Sequence, residues 1–170
     1  MKATLISVTI VSLFIAAGAQ GAGGGGPDPT VDMRKAPSVP KDPVVEAIQA
    51  AVAKADWPQA QALARDGVAK NPGNADYHNL YAYSLRMGAN PEMDLVFRHY
   101  NEALRLDPKH LGAHEYLGEA YLQTGNLDKA KEHLRALDKL CFFSCKEYTM
   151  LKNAVADYEA KRPALAAPAK

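Results

Sequence analysis

Cysteine is scarce in this chain. Its 170 residues hold two, Cys141 and Cys145, both inside "LDKLCFFSCKEYTML" (137–151). Their x-x-x spacing, with no βαβ pattern around them, argues against a thioredoxin-like redox site. No C-x-x-C-H is present, which excludes haem attachment by that motif. Catalytic signatures are missing as well: there is no G-x-S-x-G, no phosphate-cradling glycine loop and no H-E-x-x-H. The glycine run at 21–26 precedes no strand or helix start and reads as linker. No enzyme class suggests itself. Excess charge is also lacking, because 20 Lys and Arg face 19 Asp and Glu for a net +1. That balance offers no basic surface to nucleic acid or to an anionic membrane. The remainder is ordinary globular composition, 48% hydrophobic and 23% charged with 8% aromatics, in a length that suggests one domain.

The long apolar run lies at the N-terminus. Lys2 precedes "ATLISVTIVSLFIAAGA" (3–19), and the final "AGA" places alanine at both positions that a signal peptidase reads. The pattern predicts a signal peptide over 1–19, cleaved after Ala19, and so a periplasmic or secreted bacterial protein. The run is slightly short for a bilayer, so no stable membrane span is expected after cleavage. Export would place both thiols in an oxidising compartment. Residues 20–43, rich in Gly and Pro without periodicity, read as a flexible linker, and 161–170 as a disordered tail. The folded part is expected over 44–160.

Within it one pattern recurs: two amphipathic helices, a short turn, then Asn-Pro or Asp-Pro. The units run about 44–72, 75–108 and 111–140, followed by a cap at 144–160. Pro72 and Pro108 cannot continue a helix and push the preceding residue towards extended backbone. They stand 36 apart, two more than a period of about 34. The extra residues fall in "GANPEMD" (88–94), between the helices of the second unit. Leu117, Tyr121, Leu127, Leu134 and Leu137 follow helical spacing and predict a buried stripe. Gly118 and Ala82 would let the two helices of a pair approach closely. Each pair alone exposes an apolar face, so the pairs must stack and the last one needs a cap.

At these residues the chain resembles the tetratricopeptide repeat (TPR) family. "HEYLGEAYLQTGNLDKAKEHLRAL" (114–137) matches best, with Leu117, Gly118, Tyr121, Gly125 and Ala130 at the signature spacing. Ala82, Leu85, Tyr100, Ala103 and Pro108 fill the corresponding places of the second unit. In the first unit Ala60 and Pro72 fit, while Ile48 stands where a small residue is expected. The chain is also similar to exported bacterial TPR proteins that carry "GAHEYLGE" and a C-x-x-x-C-x-E-Y ending. The resemblance implies an all-α, right-handed α-solenoid of about three helix pairs with a C-terminal capping helix.

The cysteines then fall at a corner. Cys141 ends the second helix of the third unit. "SCKE" (144–147) reads as a capping box, with Ser144 as N-cap and Glu147 reaching back. Tyr148, Leu151, Val155 and Tyr158 recur at helical steps beyond it. Such a corner can bring Cα atoms within the roughly 4.4–6.8 Å a disulfide needs, and a structural Cys141–Cys145 bond is the favoured reading. Redox chemistry and a copper or other metal site are the alternatives. Phe142 and Phe143 are expected to plug the apolar side of the corner. His110 and His114 are four apart, the spacing of a helical metal pair, but His110 lies in the turn after Pro108. His114 repeats the place of His78, which points to packing, while His99 and His133 read as surface. No metal site and no cofactor are expected.

In the family, the first helix of each unit lines a concave surface that holds extended or helical peptides. The resemblance places Val45, Gln49 and Val52 there, then Asn79, Tyr83 and Arg86, then Glu115, Glu119 and Leu122. Arg86, Tyr83 and Asn79 would offer donors and an aromatic platform, and Glu115 and Glu119 a solvated acidic wall. Chaperone-binding members grip a peptide carboxylate with Lys and Asn. Val45, Gln49 and Leu80 occupy those places here, so that mode is not carried over. The expectation is a non-enzymatic module for a protein or peptide partner. The rival readings are a thiol- or copper-handling factor using Cys141 and Cys145, and a periplasmic assembly factor such as one serving cytochrome c maturation.

Overall fold

The computed structural model describes residues 42–143 and 145–165. The leader, nearly all of the linker, Ser144 and residues 166–170 lie outside the described residues. Seven α-helices occupy the described chain: α1 (Pro43–Ala53), α2 (Trp57–Lys70), α3 (Ala75–Met87), α4 (Met93–Leu106), α5 (Leu111–Gln123), α6 (Leu127–Leu140) and α7 (Lys146–Leu165). None is long and apolar enough to cross a membrane. The helices follow in the pairs α1–α2, α3–α4 and α5–α6, with α7 after them. α2 and α4 each stop two residues short of Pro72 and Pro108.

Short polar side chains start most helices. Asp42 Oδ1 accepts from the Val44 and Val45 amides, Asp56 from Gln59, Asn74 from Tyr77 and Asn126 from Lys129. Each satisfies amides that the first turn leaves without partners. His110 does the same for α5, its Nδ1 accepting from Ala113 N at 3.1 Å. The turns inside the first and third pairs share one geometry. Ala55 N donates to Val52 O and Asp56 N to Ala51 O, as Gly125 N does to Leu122 O and Asn126 N to Tyr121 O. Both central residues are left-handed, Gly125 at φ 82° and Ala55 at φ 54°. The second pair lacks this turn. The residues of 88–92 replace it, and the Glu92 side chain before α4 makes no cap hydrogen bond.

The odd-numbered helices pack on one another along the stack, α1 on α3, α3 on α5 and α5 on α7. Among the described residues the even-numbered helices meet only through them. A layer whose helices touch, backed by one whose helices do not, forms the inner side of a curve. The fold is a helical-repeat solenoid, and the odd helices carry its inner face. Three apolar clusters fill the stack: Ile48 with Ala60, Ala64 and Leu80; Ala82 with Val96, Tyr100 and Leu117; and Leu127 with Leu137, Leu151 and Val155. Ile48 is fully buried although a small residue was expected there. Leu117, Leu127 and Leu137 form the buried part of the predicted stripe, with Tyr121 and Leu134 packed at its margin.

Gly118 does not serve the approach expected of it. Its missing side chain faces Leu151 of α7 rather than its own partner helix α6. Close approach is needed between successive inner helices, because α7 stacks on α5 as a first helix of a further unit would. α7 also runs on to Leu165, through residues assigned to the tail. The sequence from Tyr158 to Lys161 contains good helix formers and no stop before Pro163.

Candidate functional site

The inner face brings together the six residues singled out in α3 and α5, but several are buried. Asn79 is 5% exposed and Glu115 3%, so Glu115 is no part of a solvated wall. The stacking of α7 on α5 takes it out of water. Among the described residues its Oε1 has no hydrogen-bond partner, and neither has Asn79 Oδ1. Burial, helped by the nearby Glu119 and Glu147 carboxylates, pushes the Glu115 carboxyl up to about 7. Leu122 belongs to the third apolar cluster.

Arg86 is committed within the fold. Its Nη2 donates to Glu119 Oε2 at 2.7 Å, and its Nε to the Tyr100 hydroxyl at 3.4 Å. The guanidinium also stands 5.6 Å from the centre of the Tyr83 ring. This set ties α3 to α4 and α5, and only 8% of the Arg86 side chain is exposed. Removal of the Tyr100 ring from water raises its hydroxyl well above the ordinary range. Arg86 therefore orders the face from within.

What this face leaves half-exposed is aromatic. Tyr83 lies between Trp57 of α2 and Tyr116 of α5, with ring centres 6.1 and 4.5 Å away. Burial pushes the Tyr116 hydroxyl up to about 12. Beside this row Arg86, Glu119, Leu122 and Gln123 face Ala154, Asp157, Tyr158 and Lys161 of α7 across a cleft of about 380 Å³. The α7 wall goes beyond the expected cap, which the apolar face of the last pair alone called for.

Histidines supply the larger surprise. His78 Nδ1 lies 2.9 Å from His99 Nδ1, and His114 Nδ1 lies 3.0 Å from His133 Nδ1. His78 Nε2 contacts Pro72 O and His114 Nε2 contacts Pro108 O, each at 3.0 Å. His99 and His133 are thus paired and half-buried, not surface residues. A signal existed in the matching places of His78 with His114 and of His99 with His133. His110 does not join His114; its Nε2 meets Asp76 Oδ1 at 3.1 Å. Among the described residues no group of three or more His, Cys, Asp or Glu could hold a metal ion.

At the corner Cys141 and Cys145 form a disulfide, with Cα atoms 5.6 Å apart. Cys145 stands directly before α7, its carbonyl accepts from Thr149 N, and its Sγ accepts from Tyr148 N at 3.5 Å. The N-cap role falls to Cys145, one residue later than expected. The Ser144 half of the capping box lies outside the described residues. Phe142 and Phe143 do not plug the corner, being 92% and 82% exposed. The space beneath is already filled by Leu137, Leu151 and Val155, and the short bridged loop turns both rings outward. Copper ligation requires free thiolates, whereas these two sulfurs are bonded to each other.

Residues 96–155 match the tetratricopeptide repeat family. Comparison with characterised proteins by sequence finds no match. Among solved structures, the chain is similar to the type III secretion translocator chaperone SycD of Yersinia enterocolitica, at TM-score 0.60 and 15% identity. That alignment covers 71% of this chain and 83% of the other. The TPR2B domain of yeast Sti1, solved as a complex with pHsp70, aligns at TM-score 0.62 and 16% identity over 70% of this chain and 95% of that domain. The first TPR domain of human RPAP3 gives TM-score 0.57 at 16% identity, over 69% and 93%. The matching signature over 96–155 and these structural likenesses give the three stacked helix pairs the fold of tetratricopeptide repeat proteins.

Proposed function

We propose that this chain is an exported protein-interaction module that takes a peptide or protein segment on its inner face, without catalysis of its own. The observation that carries the reading is the half-exposed row Trp57–Tyr83–Tyr116, continuous through Arg86 with the α3–α5–α7 cleft. Aromatic rings on a rigid scaffold give large contact area at low entropic cost. Sti1 TPR2B is solved in a complex, and SycD is named a chaperone. Both fit a scaffold that holds another chain. The leader over 1–19 and the Cys141–Cys145 disulfide support an oxidising, periplasmic or secreted setting.

The test is site-specific photo-crosslinking in the native host. A photoreactive residue at Tyr83 or Asp157 should give one partner adduct, whereas positions on the outer helices, such as Arg98 or Lys131, should give none. Adducts confined to the outer positions would overturn the reading. With the photoreactive residue at Asp157, Trp57→Ala with Tyr83→Ala should remove the adduct while leaving helicity unchanged.

A further inference from the structure

We propose that the two histidine pairs form an acid-sensitive latch between the helices of the second and third repeats. The pairs are built alike. One histidine sits on the inner helix, His78 on α3 or His114 on α5, and the other on the outer helix, His99 on α4 or His133 on α6. The inner histidine uses Nε2 against a proline carbonyl, which has no proton to give, so Nε2 must carry the hydrogen. Its Nδ1 is then a bare acceptor, and the outer histidine must donate from its own Nδ1. A neutral pair satisfies this arrangement. One added proton can enter at the outer Nε2. A second has only the bridging lone pair, and it would set two N–H groups face to face at about 3 Å. Doubly charged, the latch must open.

The surroundings resist even the first proton. Around the first pair stand the Pro72 carbonyl, the Tyr81 ring 4.7 Å from His99, and Arg98 and Glu102 on α4. Around the second stand the Pro108 carbonyl, the Tyr121 ring stacked 5.6 Å from His133, and Lys129 and Glu132 on α6. The two carboxylates that could steady a cation are engaged elsewhere, Glu102 with Arg105 and Glu132 with Lys129. Burial and the facing histidine lower the proton affinity of His99, and in the same way push His133 down to about 4.

An imidazole held below its ordinary value makes the folded chain bind fewer protons than the unfolded one. For His133 this contribution to stability is complete above pH 6.5, the ordinary value, and disappears as the pH falls towards 4; the His99 contribution is likewise lost as the pH falls. Both latches join inner to outer helices, and α3 and α5 carry Tyr83, Arg86 and Glu119. Acid therefore loosens the helices that build the inner face, whatever that face binds.

The experiment is an NMR titration of the oxidised mature chain, following the five histidines individually, with amide exchange measured alongside. His99 and His133 should titrate below an ordinary exposed imidazole. Protection in α3–α6 beside Pro72 and Pro108 should fall about tenfold or more between pH 7 and 4.5, since each tenfold loss of proton affinity on folding weakens the folded state tenfold. His99→Gln with His133→Gln retains a side-chain donor without a titrating group, and should flatten that fall. Ordinary midpoints at both histidines in the unaltered chain, or protection unchanged down to pH 4.5, would overturn the latch. So would an equally steep fall in a folded double variant.

Discussion

Gly118 of α5 and Leu151 of α7 meet so closely that a Cβ on the glycine would stand 2.5 Å from Leu151 Cδ2 and 2.7 Å from Cδ1. Leu151 is fully buried among Leu127, Leu137 and Val155, so its side chain cannot swing aside into water. Gly118→Val should destabilise the chain by about 1–3 kcal/mol through overpacking. Leu151→Ala alone should cost about 2–5 kcal/mol. The pair should be strongly non-additive, because the truncated side chain makes room for valine. Urea denaturation of the four proteins closes the cycle. Additive losses would show that Gly118 does not set the α5–α7 distance.

Ala55 occupies the left-handed position that Gly125 occupies in the third repeat, with the same pair of backbone hydrogen bonds. A left-handed conformation costs an L-residue roughly 1–2 kcal/mol. Glycine escapes that cost but loses more chain entropy on folding. Ala55→Gly should leave a net gain of about 0.5–1 kcal/mol, measured as a higher denaturation midpoint with an unchanged m-value. Gly125→Ala should lose a similar amount. Equal stability for both variants would mean that neither turn is strained.

Glu115 acts on stability in the sense opposite to the histidines. Its carboxyl, raised to about 7 by burial, is accommodated as the neutral acid, so its contribution is complete below 4.5 and lost as the pH rises through 7. Glu115→Gln keeps the shape and cannot ionise. The variant should match the parent near pH 5 and exceed it at pH 8 by at most about 3 kcal/mol. Thermal melts at the two pH values decide the matter, and a difference independent of pH would remove ionisation as the cause.

How far these features were legible depends on which interaction creates them. Helix periodicity, the prolines and the two extra residues after Met87 are local, and they make the all-helical fold legible. Which face meets which neighbour is not local. Gly118 was read against α6 because the pair is the sequence unit, whereas the tight contact is made to the next unit's helix. Glu115 was read as solvated for the same reason: its water is displaced by α7. The histidine pairs were half-visible. His78 and His114 repeat openly, but their partners lie 21 and 19 residues away, and the insertion in the second repeat conceals the correspondence. Phe142 and Phe143 were assigned inward on hydrophobicity alone, although Leu137, Leu151 and Val155 had already filled the space.

The disulfide should contribute in two separable ways. With the cysteines four apart in sequence, the closed loop is short, and chain entropy gives about 2 kcal/mol. Cys145 Sγ also accepts from Tyr148 N at the start of α7, a capping role that serine can fill and alanine cannot. Cys141→Ala with Cys145→Ala should therefore lose both contributions. Cys141→Ala with Cys145→Ser should lose the crosslink but recover about 1 kcal/mol through the cap. Both variants should keep α7 docked, because Leu151 and Val155 hold it from the core side. Amide exchange at Tyr148 separates the effects: fast in the alanine pair, slower in the serine pair, slowest in the oxidised parent. Equal exchange in the two variants would show that the sulfur atom crosslinks without capping.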